Sequence, residues 1–146
     1  VLVYQIHNNP ILDRYAMKFA KHVGLPLYRV SPSLHQIMRG GKFIFLPDVG
    51  EFLSYINNAT YIVTDSFHGT AFSINFNKQF IEILPNTKTG SRNQSILQLT
   101  GLQDRIVTDY NDFSIATKMI DYTFVNGIIK EERKKSYCIL KRIIEE

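Results

Sequence analysis

The chain has 146 residues, of which 45% are hydrophobic and 21% are charged, and its formal net charge is +4. This balance is typical of one folded domain with a buried core, and it excludes a disordered chain. The positive charge brings nucleic acid into consideration. However, many of the basic residues alternate with acids near the end of the chain, and no basic stripe is interleaved with aromatic residues, so nucleic acid is not an expected partner.

The single cysteine, Cys138, excludes an internal disulfide and favours a reducing, cytoplasmic compartment. It lies in an apolar helical pattern, which predicts a small core residue. No run of about 20 apolar residues predicts a membrane span. The chain opens on a strand-like run rather than on a signal segment. We therefore expect residues 1–146 to be the C-terminal domain of a protein whose N-terminal domain is missing here.

Short β-branched or aromatic runs alternate with helical patterns, which predicts an α/β, Rossmann-like parallel sheet with helices on both faces. The predicted strands are 1–6, 27–30, 43–46, 61–63, 80–84 and 105–107. The predicted helices are 10–23, 48–58, 66–76, 93–99 and a long helical segment within 112–146 that breaks near Asn126-Gly127. Residues 31–42 are interpreted as a loop, and 43–46 also fits a packed loop.

Ligands of parallel sheets bind beyond the carboxyl ends of the strands, where the strand order reverses. The turn over residues 64–70, here called the 64–70 turn, follows the most apolar strand and is the strongest candidate. Asp65 or Ser66 can cap the next helix, and Gly69 permits close approach of backbone or ligand. The first N–H groups of a helix bind phosphate or carboxylate, and His68 can move protons near neutral pH. The alternative is a capped helix whose histidine bonds a neighbouring carbonyl.

Other strand ends carry weaker candidates. His7 and His35 follow strands and are possible substrate contacts, while Lys88 and Arg92 lie in a predicted loop from which they can meet an anion. The alternative for Lys88 and Arg92 is that they are ordinary surface charges that bind no ligand. No metal site is predicted, because no His, Asp or Glu pair has helical ligand spacing. The phosphate-binding glycine signatures of nucleotide-binding loops are also missing from the sequence.

Several short motifs run through the middle of the chain. They are Pro47-x-x-Gly50-Glu51-Phe52-Leu53, Asn58-Ala59, Val63-Thr64-Asp65-Ser66-Phe67-His68-Gly69-Thr70, Phe72-Ser73-Ile74, Lys78-Gln79-Phe80, Arg92-x-x-Ser95-Ile96-Leu97 and Gly101-Leu102. Together they resemble the C-terminal half of the polysaccharide pyruvyl transferase family over roughly residues 1–109. The Ser-Phe-His-Gly turn is the most specific part of the resemblance.

The resemblance implies the second Rossmann-like domain of a two-domain enzyme similar to GT-B glycosyltransferases. Family members move pyruvate from phosphoenolpyruvate onto sugar hydroxyls as a ketal, on surface or capsular polysaccharides. The implied partners are phosphoenolpyruvate as donor, a glycan acceptor and the N-terminal domain, with no further cofactor. The family's catalytic histidine corresponds to His68. The expected donor-binding residues are Asp65, Ser66, Phe67, Gly69, Thr70, Lys88 and Arg92.

The chain departs from the family pattern at two places. Family members tend to carry an arginine two positions before the histidine, where this chain has Ser66, and another near the end of the first strand, at residues 5–7 here. Arginine grips phosphate and carboxylate in a bidentate manner that serine does not reproduce. The donor is therefore held by Lys88, Arg92 or the other domain, or it is not phosphoenolpyruvate. The alternatives are a glycosyltransferase that uses a nucleotide sugar and a non-enzymatic, flavodoxin-like binding domain.

Overall fold

The computed structural model describes residues 1–85 and 90–145 and contains one parallel sheet of five strands in the order β3-β2-β1-β4-β5. The strands are β1 Leu2–Tyr4, β2 Tyr28–Ser31, β3 Lys42–Phe45, β4 Tyr61–Thr64 and β5 Gln79–Glu82. The predicted α/β, Rossmann-like class is confirmed, and the 43–46 segment is a strand rather than a packed loop. β1 lies at the centre of the sheet, because Leu2 pairs with Tyr28 of β2 on one side and with Ile62 of β4 on the other.

In the described part of the chain five α-helices accompany the sheet, and their caps explain where several of them begin. They are α1 Pro10–His22, α2 Val49–Asn58, α3 Phe67–Asn75, α4 Gly90–Thr100 and α5 Tyr122–Glu145. Asn9 starts α1, since its side chain accepts hydrogen bonds from the N–H groups of Ile11 and Leu12 at 3.1 and 3.4 Å. Asp48 and Glu51 form a reciprocal capping box at the start of α2.

Alternate residues of the strands face two separate apolar cores. Val3 packs on one face of the sheet with Tyr15 and Phe19 of α1. Leu2 faces the other side, where the core includes Ile74 of α3 and Val125 of α5. This two-residue alternation places helices on both faces of the sheet, as predicted.

The predicted strand 105–107 is wrong. Only Ile106 forms an isolated parallel bridge, with Glu82, and a short 3-10 helix, Gln103–Arg105, precedes it. The cause is the buried Arg105 side chain, which donates to the Lys118 carbonyl at 2.7 Å. The predicted loop 31–42 likewise contains a 3-10 helix, Leu34–Arg39.

The predictions for the last third of the chain also need correction. α5 begins at Tyr122 and runs without a break through Asn126-Gly127. A glycine inside a helix costs only about 1 kcal/mol, which does not break a helix whose Val125 is buried in the core. Cys138 is exposed rather than part of the core, because the second half of α5 leaves the domain. Among the described residues no helix is long and apolar enough to cross a bilayer.

Candidate functional site

The 64–70 turn lies where the strand order reverses, between the carboxyl ends of β1 and β4. Thr64 connects the two strand ends: its hydroxyl donates to the Tyr4 carbonyl at 2.7 Å and accepts from the Ser66 N–H at 3.0 Å. Ser66 is the N-cap of α3, with its Oγ accepting from the Gly69 N–H at 3.4 Å. The backbone therefore enters α3 along a path fixed by its own side chains.

Asp65 turns inward and joins the turn to the loop after β1. Its carboxylate accepts from the N–H groups of Ile6 and His7 at 2.8 and 3.1 Å, and His7 Nδ1 lies 3.3 Å from Oδ2. Burial raises the pKa of this carboxyl, and the two N–H bonds and His7 oppose that rise. Asp65 is 1% exposed, so its role in the structure is to hold the two strand ends together.

A buried polar cluster behind the turn was not predicted from the sequence. The Glu82 carboxyl at the end of β5 bonds the Thr70 hydroxyl at 2.5 Å and accepts from Asn93 Nδ2 at 2.6 Å. Burial raises the pKa of Glu82 to about 7, although both hydrogen bonds act to lower it. The signal available in the sequence was a carboxylate in the middle of the apolar run Phe80-Ile81-Glu82-Ile83-Leu84.

Gly69 is explained by packing within the domain. A Cβ atom at this position would lie 2.3 Å from Thr64 Oγ1 and 3.1 Å from Tyr4 Cδ1. No larger residue allows α3 to approach β4 this closely. Thr70 and Ser66 are also buried, at 0% and 1% exposure. Of the predicted donor-binding residues, Asp65, Ser66 and Thr70 therefore direct their side chains into the domain, and Gly69 is required there because a Cβ would not fit.

The outward side of the turn carries His68 and free backbone N–H groups. His68 is exposed, and the N–H groups of Phe67 and His68 have no hydrogen-bond acceptor in the described part of the chain. The guanidinium of Arg92 lies 5.5 Å from the centre of the Phe67 ring. Arg92 is in the first turn of α4 and not in a loop, which corrects the prediction. Two N–H groups, the positive end of a helix and a cation thus meet at one surface, which suits an anion.

A cavity of about 430 Å³ opens beside His68, and we call it the strand-end cavity. It lies between the end of β2, the start of α2 and the start of α3. Most of its lining is apolar. Its aromatic walls are Tyr4, Phe52 and Phe72, and its polar groups include Ser31, Asp48 and His68. An apolar pocket with a few polar groups at its wall is the usual form of a small-molecule site.

The other predicted residues are distributed around this centre. His7 and Arg14 both line a second cavity of about 510 Å³. Arg14 was not predicted as a site residue, although it lies early in α1, the helix that follows the end of β1. His35 is exposed on the 3-10 helix after β2 and lines neither cavity. Lys88 lies outside the described residues.

Gln5, directly after β1, faces the interior and is hydrogen-bonded there. Gln5 is 1% exposed and accepts from Arg29 Nη1 at 2.8 Å. Arg29 is 0% exposed and pairs with Asp13 at 2.9 Å, so its guanidinium faces the interior. Over residues 1–85 and 90–145, no three His, Cys, Asp or Glu side chains are placed to hold a metal ion.

The comparisons with known proteins agree with the motif pattern. The family model for polysaccharide pyruvyl transferase matches residues 2–87, which is more than half of the chain and includes the whole 64–70 turn. No curated protein and no solved structure matches the chain. The matched span covers all five strands and ends before α4. The chain therefore belongs to the polysaccharide pyruvyl transferase family.

Proposed function

We propose that this protein transfers pyruvate from phosphoenolpyruvate to a sugar of a surface polysaccharide precursor, with His68 as the catalytic residue. The observation that carries the proposal is the position of His68. It is exposed, it belongs to the helix end whose N–H groups are free, and it lines the strand-end cavity. An anion site and a ligand cavity thus meet at a side chain that can carry a proton.

The donor phosphate is held by the first turn of α3 in this proposal. The N–H groups of Phe67 and His68 donate to phosphate oxygens, and Arg92 supplies a guanidinium from α4. Arg92 supplies the cationic contact to the phosphate that Ser66 cannot supply, because Ser66 is uncharged and buried as the N-cap of α3. Lys88 remains a predicted contact of the same anion.

His68 moves protons while the ketal forms. The methylene carbon of phosphoenolpyruvate takes a proton, and one sugar hydroxyl adds to C2 and loses its own proton. A second hydroxyl then bonds C2 as the C–O bond to phosphate breaks, and the bond's electron pair leaves with the phosphate. The proton of the second hydroxyl leaves with the phosphate. A histidine beside C2 serves as acid when it gives the methylene carbon its proton and as base when it takes up the proton that the first hydroxyl loses, so the histidine ends this step in its starting state.

The acceptor sugar lies in the strand-end cavity. The rings of Tyr4 and Phe52 lie 4.9 Å apart and those of Phe52 and Phe72 5.8 Å apart, which gives an aromatic wall against which the C–H face of a sugar ring packs. Asp48 accepts hydrogen bonds from sugar hydroxyls. A sugar in this position brings an acceptor hydroxyl towards His68, which lines the same cavity.

Replacement of His68 tests the proposal. His68→Asn in the intact protein keeps phosphoenolpyruvate binding but lowers kcat for ketal formation on the order of 10²- to 10⁴-fold, because acid–base catalysis is lost. The matched control is His22→Asn, since His22 is an exposed histidine in the last turn of α1. Calorimetry measures donor binding, and mass spectrometry measures product. Unchanged kcat in His68→Asn contradicts the catalytic role, and calorimetric binding of UDP-sugars but not of phosphoenolpyruvate contradicts the whole reaction.

A further inference from the structure

The two halves of α5 have different surroundings. In the first half Val125 is buried and Ile129 packs against the core, and Arg133 Nη2 donates to Asn75 of α3 at 2.5 Å. From residue 133 to residue 145 every side chain is exposed. None of the residues from 133 to 145 belongs to either of the two apolar cores.

These exposed turns are strongly amphipathic. Their large apolar side chains are Tyr137, Ile139, Leu140, Ile143 and Ile144, with 54–74% of each residue exposed. At 3.6 residues per turn, the five side chains fall within a sector of roughly 160°. Lys134 and Lys141 lie along one border of this apolar sector, and Lys135 and Arg142 lie along the other. We call this surface the α5 apolar face.

Positive charge is concentrated on the same helix. α5 contains six Lys or Arg and three Glu residues, an excess of three positive charges, while the net charge of the whole chain is +4. The rest of the chain is therefore close to neutral. Two of the border cations are paired along the helix, Lys135 with Glu132 at 2.6 Å and Lys141 with Glu145 at 3.6 Å. The helix still carries a net positive charge beside an apolar face, which favours a partner that is apolar in its interior and anionic at its surface.

We propose that the end of α5 lies in the headgroup region of a bilayer that contains anionic lipids. The α5 apolar face enters the acyl boundary, and the cations at its two borders contact lipid phosphates. A second copy of this helix fits less well, because a coiled-coil seam is narrower and extends over three or four heptads, whereas this face runs from Tyr137 to Ile144, about two turns. The inference does not depend on the transferase reaction.

Vesicle binding tests the inference. The intact protein is mixed with vesicles of phosphatidylcholine alone or with roughly one-third phosphatidylglycerol, and the bound fraction is measured by co-sedimentation. We expect binding only to the anionic vesicles, and a loss of binding at about 1 M salt. Neutralising Lys134→Gln and Lys141→Gln together lowers the partition coefficient on the order of 25-fold, since each cation near the surface contributes about fivefold.

The controls separate a specific contact from general charge. Lys21→Gln with Lys118→Gln removes two exposed charges elsewhere and leaves vesicle binding within about twofold. Leu140→Ser with Ile144→Ser abolishes binding without lowering the melting temperature, because neither side chain contacts the core. Equal binding to neutral vesicles, no binding to anionic ones, or a dimer in sedimentation analysis that Leu140→Ser and Ile144→Ser dissociate each overturns the proposal.

Discussion

At the scale of single residues, Glu82 is the most unusual group near the site. It is 0% exposed, at the end of the edge strand β5, and it bonds side chains from both α3 and α4. The Thr70 hydroxyl has one proton and also lies 3.0 Å from the Ser66 carbonyl, to which it can donate. A protonated Glu82 satisfies this arrangement by donating to Thr70, in agreement with its raised pKa of about 7.

Glu82→Gln is expected to change how stability depends on pH. Because the pKa of Glu82 is raised in the folded state, its contribution to stability is present below the unfolded pKa of 4.5 and is lost as pH rises through about 7. Glutamine retains both hydrogen bonds without a charge. The variant therefore gains up to about 3 kcal/mol over wild type between pH 5 and pH 8 in urea unfolding. The control is Glu131→Gln at an exposed position, whose unfolding free energy is expected to depend on pH as in the wild type. The same pH dependence in Glu82→Gln as in the wild type refutes the prediction.

At the scale of elements, the contact between α3 and β4 sets where the helix end points. The contact is close because Gly69 faces Thr64 and Tyr4 without a side chain of its own. Tyr4 also forms part of the strand-end cavity, so the same glycine determines the distance between the anion site and the cavity wall. The turn residues most conspicuous in the sequence thus act on the site through packing.

Gly69→Ala is expected to lower the unfolding free energy by about 1–3 kcal/mol, the range for overpacked cores, since its Cβ would meet Thr64 Oγ1 at 2.3 Å. Gly127→Ala is the matched control. Its Cβ would enter open space within α5, and helix propensity alone raises stability by about 0.5–1 kcal/mol. Denaturant unfolding measures both variants. An unchanged unfolding free energy in Gly69→Ala would contradict the prediction, because it would show that α3 can shift away from β4 without loss of stability.

At the scale of the whole molecule, the sequence predicted the sheet and the strand-to-helix turn after β4 because both depend on local signals. Apolar runs marked the strands, and Asn9-Pro10, Asp48 and Ser66 marked helix starts. The roles of the turn side chains were not predictable, since Asp65 and Thr70 are fixed by partners 58 and 12 residues away. The prediction of a strand at 105–107 was wrong for a similar reason, because the buried Arg105 side chain is held by the Lys118 carbonyl, 13 residues away.

Two places at the strand ends offer an arginine to the donor phosphate: Arg92 lies over the Phe67 ring at the start of α3, and Arg14 lines the second cavity. With phosphoenolpyruvate as the proposed donor, a concentration of about 100 times its Kd is expected to add about 2.7 kcal/mol to the unfolding free energy and to raise Tm by roughly 5–10 °C. Arg92→Gln is expected to lose most of this shift at the same ligand concentration, and Arg14→Gln is expected to keep it. Differential scanning calorimetry of the intact protein with and without ligand measures both. The reverse result would place the donor phosphate in the second cavity, which His7 lines and His68 does not, and would contradict the role proposed for His68.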